Sequence, residues 1–308
     1  MKISLIDVDG HHFPNLALCK IAGFYKATGH TVDWYSPLWS RPDKIFASKV
    51  FTFSPDYTDY SARDPEPIKG GTGYDPLVKL PDEIENFKPD FSIYPDEIMR
   101  NPKTGNLQAF GFLTRGCIRN CPWCIVPKKE GAIKPVRTIE EITQGRKEAV
   151  LMDNNFLAAP EDFVSEQLQK IAREKIAVDF NQALDARLVT PKNARLLAAC
   201  KWIRFIRFAC DTSAQIEPVK RAVSLIRESG NRKFSFSVYL LIQEIADAEK
   251  RLREMVKLDV SPFAQPYRDF TNEIKPTKEQ KDFAAFANVK GGKLCLKMKF
   301  SQYQHGSI

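Results

Sequence analysis

No stretch of this chain approaches the ~20 uninterrupted apolar residues of a membrane-crossing helix, so no membrane span is expected. The first residues, MKISLIDVDGHHFPN, turn acidic within ten positions and hold no long apolar segment. No secretory leader is therefore expected, and the cytosol is the expected compartment. Cysteine is sparse and odd in number, with seven in 308 residues (Cys19, Cys117, Cys121, Cys124, Cys200, Cys210 and Cys295), which argues against a disulfide scaffold. Histidine is scarcer still: His11, His12, His30 and His305 are the whole set. The net charge is +8, yet no dense basic tract exists. Charge of this kind favours nucleic acid, phosphorylated ligands or acidic partners without choosing among them. What is present is ordinary globular composition, 43% hydrophobic and 27% charged.

The pattern along the chain divides it. Residues 1–100 read as a small α/β unit. Ile3 to Ile6 opens a strand, Leu18, Ile21, Ala22 and Tyr25 recur at helical spacing, and Gly29 ends the helix. Thr31 to Tyr35 reads as a second strand and Val50 to Phe53 as a third. Residues 54–81 read as loop, with Gly70-Gly71-Thr72-Gly73 as a tight turn, because no amphipathic helix follows to make a phosphate loop. A short helix near Asp82 to Phe87 and a strand over Phe91 to Tyr94 close the unit. From 101 the pattern is regular: apolar, β-rich runs at 110–114, 149–152, 177–181, 205–209, 234–241 and 259–264, with helical patterns between them. Thr138-Ile139-Glu140-Glu141 is a capping-box signature, Pro160 and Pro191 suit first helical turns, and the 244–257 helix is laced with opposite charges at i,i+4. Six alternating units predict parallel strands with right-handed crossovers: a partial (βα)6 TIM-type barrel over 101–266, followed by a tail, 267–308, packed on it. The expected fold class is thus α/β. Polar residues follow each predicted strand, and in such barrels ligands sit at the carboxyl ends of the strands.

Three of the seven cysteines fall within eight residues, in Cys117-Ile118-Arg119-Asn120-Cys121-Pro122-Trp123-Cys124. C-x3-C-x2-C in a loop leaving a strand lets three thiolates face one soft metal site. A structural zinc ion needs four ligands. No fourth cysteine is near, and the histidines are remote in sequence. Three ligands suit a [4Fe–4S] cluster with one iron open. A zinc site and three buried structural cysteines are the alternatives.

On these residues the segment 108–265 resembles the radical S-adenosylmethionine (SAM) superfamily. Asp153-Asn154-Asn155 stands where the family often has Gly-Gly-Glu. That variant, with Thr114-Arg115-Gly116 and Cys124-Ile125-Val126-Pro127, resembles the cobalamin-domain and methylthiotransferase branches. The first 100 residues resemble the Rossmann-like, cobalamin-binding-like domain of the former. The resemblance implies a [4Fe–4S] cluster on Cys117, Cys121 and Cys124, with SAM on the open iron. It further implies reductive cleavage to methionine and a 5′-deoxyadenosyl radical, and a flavodoxin- or ferredoxin-type electron donor. It places Trp123 near the adenine. Asp153, Gln182, Asp185, Arg187, Asp211 and Gln243 follow successive strands as SAM-site candidates, with Asp153 accepting from the SAM ammonium and Arg187 meeting its carboxylate. Asp185 and Arg187 read equally well as a loop ion pair. Cobalamin is not expected, because Asp9-Gly10-His11 lacks the glycine that follows in the family's ligand loop and the domain is short. Methylthiotransferase activity is not expected either, because the N-terminal part holds only Cys19 and about 40 residues follow the last strand. Cys200 and Cys210 read as core residues.

The substrate is open. Lys128, Lys129 and Lys134 follow the cysteines, and Tyr57, Tyr60 and Tyr74 lie in the long loop. Cations beside aromatics suit an anionic substrate such as a nucleotide or nucleic acid. The competing class is a non-catalytic iron–sulfur or zinc protein that binds nucleic acid through a basic surface.

Overall fold

The computed structural model describes residues 1–230, 233–269 and 274–303. His305 and the parts of the expected tail at 270–273 and 304–308 lie outside the described residues. The chain forms two compact units, Met1–Phe110 and Gly111–Ile308, in a mixed α/β fold with parallel sheets.

In the first unit β1 (Lys2–Asp7), β2 (Thr31–Trp34), β3 (Lys44–Ser48) and β4 (Ile68–Gly70) form a parallel sheet in the order β2-β1-β3-β4. Helix α1 (Leu16–Ala27) covers one face, because Leu18, Ile21, Ala22 and Tyr25 meet Ile3, Leu5, Val32 and Phe46. Asn15 starts it by accepting from Leu18 N, and Gly29, at φ +81°, ends it. Ile6, Ile45 and Ala47 face the other way, against Val8, Tyr35, Tyr57 and Tyr60.

Two expected strands in this unit are corrected. The third strand is Lys44–Ser48, whose Ile45, Phe46 and Ala47 are buried, while Val50, Phe51 and Phe53 are exposed. The Asp9 carboxylate takes the amides of Val50 (2.5 Å) and Phe51 (3.3 Å), donors that a ladder would have used. Phe91–Ile93 is a 3-10 turn, because the Asp90 side chain accepts from Ser92 N at 2.9 Å. Gly71 is a turn glycine at φ +97°, and a Cβ there would sit 2.3 Å from Lys49 O. Tyr57 and Tyr60 pack on the sheet rather than standing free, and the Lys49 and Lys69 ammoniums each lie 5.3 Å from the centre of the Tyr74 ring. Short helices α2 (Asp82–Glu85) and α3 (Asp96–Met99) lead to β5 (Gln108–Gly111), whose last residue begins the second unit.

The second unit continues with β6 (Thr114–Arg115), α4 (Val126–Glu130), β7 (Lys134–Pro135), α5 (Ile139–Thr143), β8 (Glu148–Leu151), α6 (Glu161–Arg173) and β9 (Ala177–Phe180). Then come α7 (Pro191–Ala199), β10 (Lys201–Trp202), β11 (Ile206–Ala209), α8 (Ile216–Ser229), β12 (Phe236–Ile242), α9 (Ile245–Lys257), β13 (Val260–Pro266) and α10 (Lys278–Asn288). The capping box at Thr138 is formed, and Pro191 starts α7 after Thr190. Pro160 stands just before α6 rather than within its first turn.

Each of the six apolar runs overlaps a strand, the first meeting β5 only at its last two residues, and the strands stand as two sheets, β10-β9-β8-β5 and β11-β12-β13. The break falls just before the fourth run: Lys201–Trp202 pairs with β9, and Ile206–Ala209, within the run, pairs with β12. Across it, Leu184 N donates to Arg207 O at 2.8 Å, and the Arg207 guanidinium holds the Asp179 carboxylate through two 2.7 Å bonds. At the far edge Asn288 of α10 satisfies both backbone groups of Ala264 on β13 (2.8 and 3.0 Å), which covers part of an otherwise open strand.

Candidate functional site: the cysteine loop

The loop holding the three cysteines leaves β6 and returns through α4 to β7. Three features close its root. β6 and β7 pair antiparallel, Arg115 grips Glu130 through two bonds (2.8 and 2.5 Å), and Cys117 N donates to Gly131 O at 3.2 Å. Gly116 makes the closure possible. It sits at φ +88°, and a Cβ there would lie 2.3 Å from Ala132 O. A second turn, Cys124 N to Cys121 O at 3.0 Å, folds the far end back.

Cys117, Cys121 and Cys124 are half-buried, while Cys19, Cys200, Cys210 and Cys295 are fully buried. Burial raises the Cys121 and Cys124 thiols; Cys124, Cys117 and Asp211 raise Cys121 further while Arg187 opposes them, and for Cys124 the Val126 amide opposes burial while Cys117 and Asp211 add to it. Cys117 Sγ accepts from Arg119 N and from Asn155 Nδ2, both at 3.3 Å. N–H groups aimed at sulfur stabilise thiolate, the form that binds metal. Asn155 Oδ1 is buried with no partner, so a polar contact is still wanted there. Among the described residues, no three His, Cys, Asp or Glu side chains are drawn together closely enough to hold a metal ion. The donor chemistry fits an iron–sulfur cluster in these respects: three thiols on one loop, sulfur-directed amides, and an unpaired buried amide oxygen beside them.

The remaining sequence-predicted residues fall into three groups. Asp211 and Arg187 act on the cysteines as above; the Asp211 carboxylate accepts from Leu241 N at 3.2 Å, and burial raises it. Trp123 and Gln243 line an open groove of about 450 Å³ with Pro122, Glu244, Tyr267 and Gln280. Gln182 is exposed, and its amide donates to Asn181 Oδ1 at 3.3 Å.

Asp153 is enclosed. It is 1% exposed, and both of its oxygens are spent on Leu113 N (3.2 Å), Thr114 N (2.5 Å) and Thr114 Oγ1 (2.7 Å). It holds the strand-to-loop passage. Asp185 and Arg187 do form an ion pair, at 2.7 Å.

Sequence reasoning passed over Arg119, which joins that pair from inside the cysteine loop: its Nε lies 2.9 Å from Asp185 Oδ2. It also saw in α9 only opposite charges at i,i+4, whereas Arg251 is 1% exposed. Its guanidinium donates to Cys210 O (2.6 Å), Leu241 O (2.9 Å) and Asp247 (2.6 Å), tying together the ends of β11 and β12. Tyr267 follows the last strand, and the rule that picked polar residues after each strand reaches it.

No protein-family model matches the chain, and no curated protein matches it. Among solved structures it is similar to coproporphyrinogen III oxidase from Escherichia coli, described as a radical SAM enzyme, at 13% identity and a TM-score of 0.38. The match covers 58% of this chain and 51% of that one, so this chain spans about half of that enzyme's length. Nothing about this chain is inferred from a likeness at that level. Among the described residues, no helix is long and apolar enough to cross a membrane.

Proposed function

We propose that the chain is a radical SAM enzyme, with Cys117, Cys121 and Cys124 holding a [4Fe–4S] cluster. The observation that carries the reading is the C-x3-C-x2-C loop itself, closed at its root by Gly116 and the Arg115–Glu130 pair, with two N–H groups on Cys117 Sγ and the charges of Arg187 and Asp211 acting on the thiols. In this reading the two sheets are arcs of one partial barrel, joined where Leu184 bridges to Phe208. The loops after β8, β9 and β11 supply Asn155, Arg187 and Asp211 from the carboxyl ends of its strands.

When bound and reduced by a flavodoxin- or ferredoxin-type donor, such a cluster supplies the electron that splits SAM into methionine and a 5′-deoxyadenosyl radical. The protein's share is position and charge. Asn155 and the Arg119 amide direct two N–H groups at Cys117 Sγ. Arg187 offers a guanidinium beside the thiols, and Trp123 offers an aromatic face to the groove. The substrate is proposed to be anionic. Residues 1–110 hold 12 Lys and Arg against 15 Asp and Glu, which leaves 34 against 23 in residues 111–308, the unit with the cysteines.

Anaerobic reconstitution should give about four irons and four sulfides per chain, and none in a Cys117→Ala, Cys121→Ala, Cys124→Ala triple variant. Incubation of the loaded protein with dithionite and SAM should release 5′-deoxyadenosine. A triple variant that keeps its iron, or a loaded protein that releases none, refutes the reading.

A further inference from the structure

We infer that Asp185 is a positioning residue of the cysteine loop, and that the Arg119–Asp185–Arg187 set fixes both the loop's conformation and the electrostatic potential at its sulfurs. The second half rests on the proposed cluster; the first concerns the chain alone.

Asp185 is itself rigidly held. It caps the 3-10 turn Ala186–Leu188, with Oδ1 accepting from Arg187 N at 3.1 Å, and its side chain is 7% exposed. Two guanidiniums converge on this carboxylate. Arg187 takes Oδ1 through Nε (2.7 Å) and Oδ2 through Nη2 (3.0 Å), and Arg119 takes Oδ2 through Nε (2.9 Å). Burial alone would raise the carboxyl, but the two arginines hold it below the usual carboxylate range.

Arg119 stands between Cys117 and Cys121, and its own amide is one of the donors to Cys117 Sγ. The Arg115–Glu130 pair and the Cys117–Gly131 bond fasten the loop at its root. Arg119 fastens it nearer the middle, to the exit of β9. A loop held at both places has fewer conformations to lose, so less ordering is left for binding to supply.

The same three side chains set a field. Together they carry one net positive charge beside the thiols. A cluster on three thiolates gains negative charge on one-electron reduction, so nearby cations raise its potential and nearby anions lower it. Loss of Arg119 or Arg187 and loss of Asp185 must therefore move the potential in opposite directions, although each arginine change breaks one ion pair to Asp185 and the Asp185 change breaks both. A purely structural role predicts no such inversion.

Two measurements test this. In the cluster-free protein, amide hydrogen exchange at residues 117–124 should quicken at least tenfold in Asp185→Ala, with Asp185→Asn as the milder variant should the first fail to fold. In the reconstituted protein, dye-mediated potentiometric titration followed by electron paramagnetic resonance should place Asp185→Asn above wild type by about tenfold in the reduction equilibrium, or 59 mV. Arg119→Gln and Arg187→Gln should fall below wild type by a similar step. Unchanged exchange in the Asp185 variants overturns the loop lock, and shifts of one sign in all three overturn the field. A wild type that binds no iron sinks the radical SAM reading instead, and the exchange experiment then decides the loop lock alone.

Discussion

Asp153 separates two accounts of the same residue. If its carboxylate met a ligand's ammonium, Asp153→Ala would weaken SAM binding and leave iron content alone. The structure shows it holding the strand-to-loop passage, so the variant should damage the fold around the cysteine loop first. Removing the carboxylate orphans the buried amides of Leu113 and Thr114 and the Thr114 hydroxyl. At about 1–3 kcal/mol each, that is roughly 6 kcal/mol of lost pairing. Part is returned, because burial outweighs those hydrogen bonds and pushes Asp153 up to about 6 from 3.8. Two pH units correspond to about 3 kcal/mol of strain on the ionised form at neutral pH, which the variant relieves. The net is a loss of about 3 kcal/mol in Asp153→Ala, together with reduced iron loading, because Thr114 leads directly into Gly116 and Cys117.

The same shift has a pH signature, read as the stability of wild type minus that of Asp153→Asn so that other groups cancel. A carboxyl raised on folding contributes stability that is full below its unfolded pKa and is lost as pH rises through the folded one. The difference should therefore favour wild type most near pH 4, shrink up to about pH 6, and be flat above that. Urea titrations of the cluster-free protein across that range measure it. A variant as stable as wild type, fully loaded with iron but weaker for SAM, would refute the reasoning.

Other outcomes follow from the same geometry. Gly116→Ala should lower the melting temperature and abolish iron loading. Gly131→Ala, at φ +74° and ψ −148° in a region that glycine alone adopts readily but with nothing within 4 Å of its would-be Cβ, should cost about 1–3 kcal/mol of backbone strain and lower iron loading less than Gly116→Ala does. Arg251→Met strands the Cys210 and Leu241 carbonyls and should cost about 3 kcal/mol or more by denaturant titration. Asp7 is pushed up to about 6 by burial while the Tyr94 hydroxyl, 2.6 Å away, holds it down. In Tyr94→Phe its carboxyl should titrate at higher pH by nuclear magnetic resonance, and the stability this group lends at low pH should persist to higher pH.

What the sequence made legible follows the strength of its local signals. The six apolar runs each overlap a strand, because a buried parallel strand is a short apolar run whatever its neighbours. The capping box at Thr138 and the stop at Gly29 are equally local. Val50 to Phe53 misled, because its apolar side chains are exposed and its amides were claimed by Asp9, 41 residues earlier, a pairing that no window of sequence displays.

The candidate site divides the same way. Cysteine spacing is a local signal and marks the loop. The role of a carboxylate is a contest between burial and partners, and both are tertiary. Asp153 and Asp185 look alike in sequence, each following an apolar strand. One carboxylate is enclosed by backbone donors and lifted by burial, while the other is met by two guanidiniums and lowered. Arg187 lowers the second from two residues away, and Arg119 adds to it from 66 residues away, although its sequence surroundings gave it no task. Arg251 repeats the lesson on a helix. Its i,i+4 spacing from Asp247 is the signature of a solvated pair, yet the guanidinium is buried because it reaches the carbonyl ends of two strands. A charged residue flanking a strand end in an α/β protein is therefore better assigned from the backbone groups within its reach than from its nearest charge in sequence.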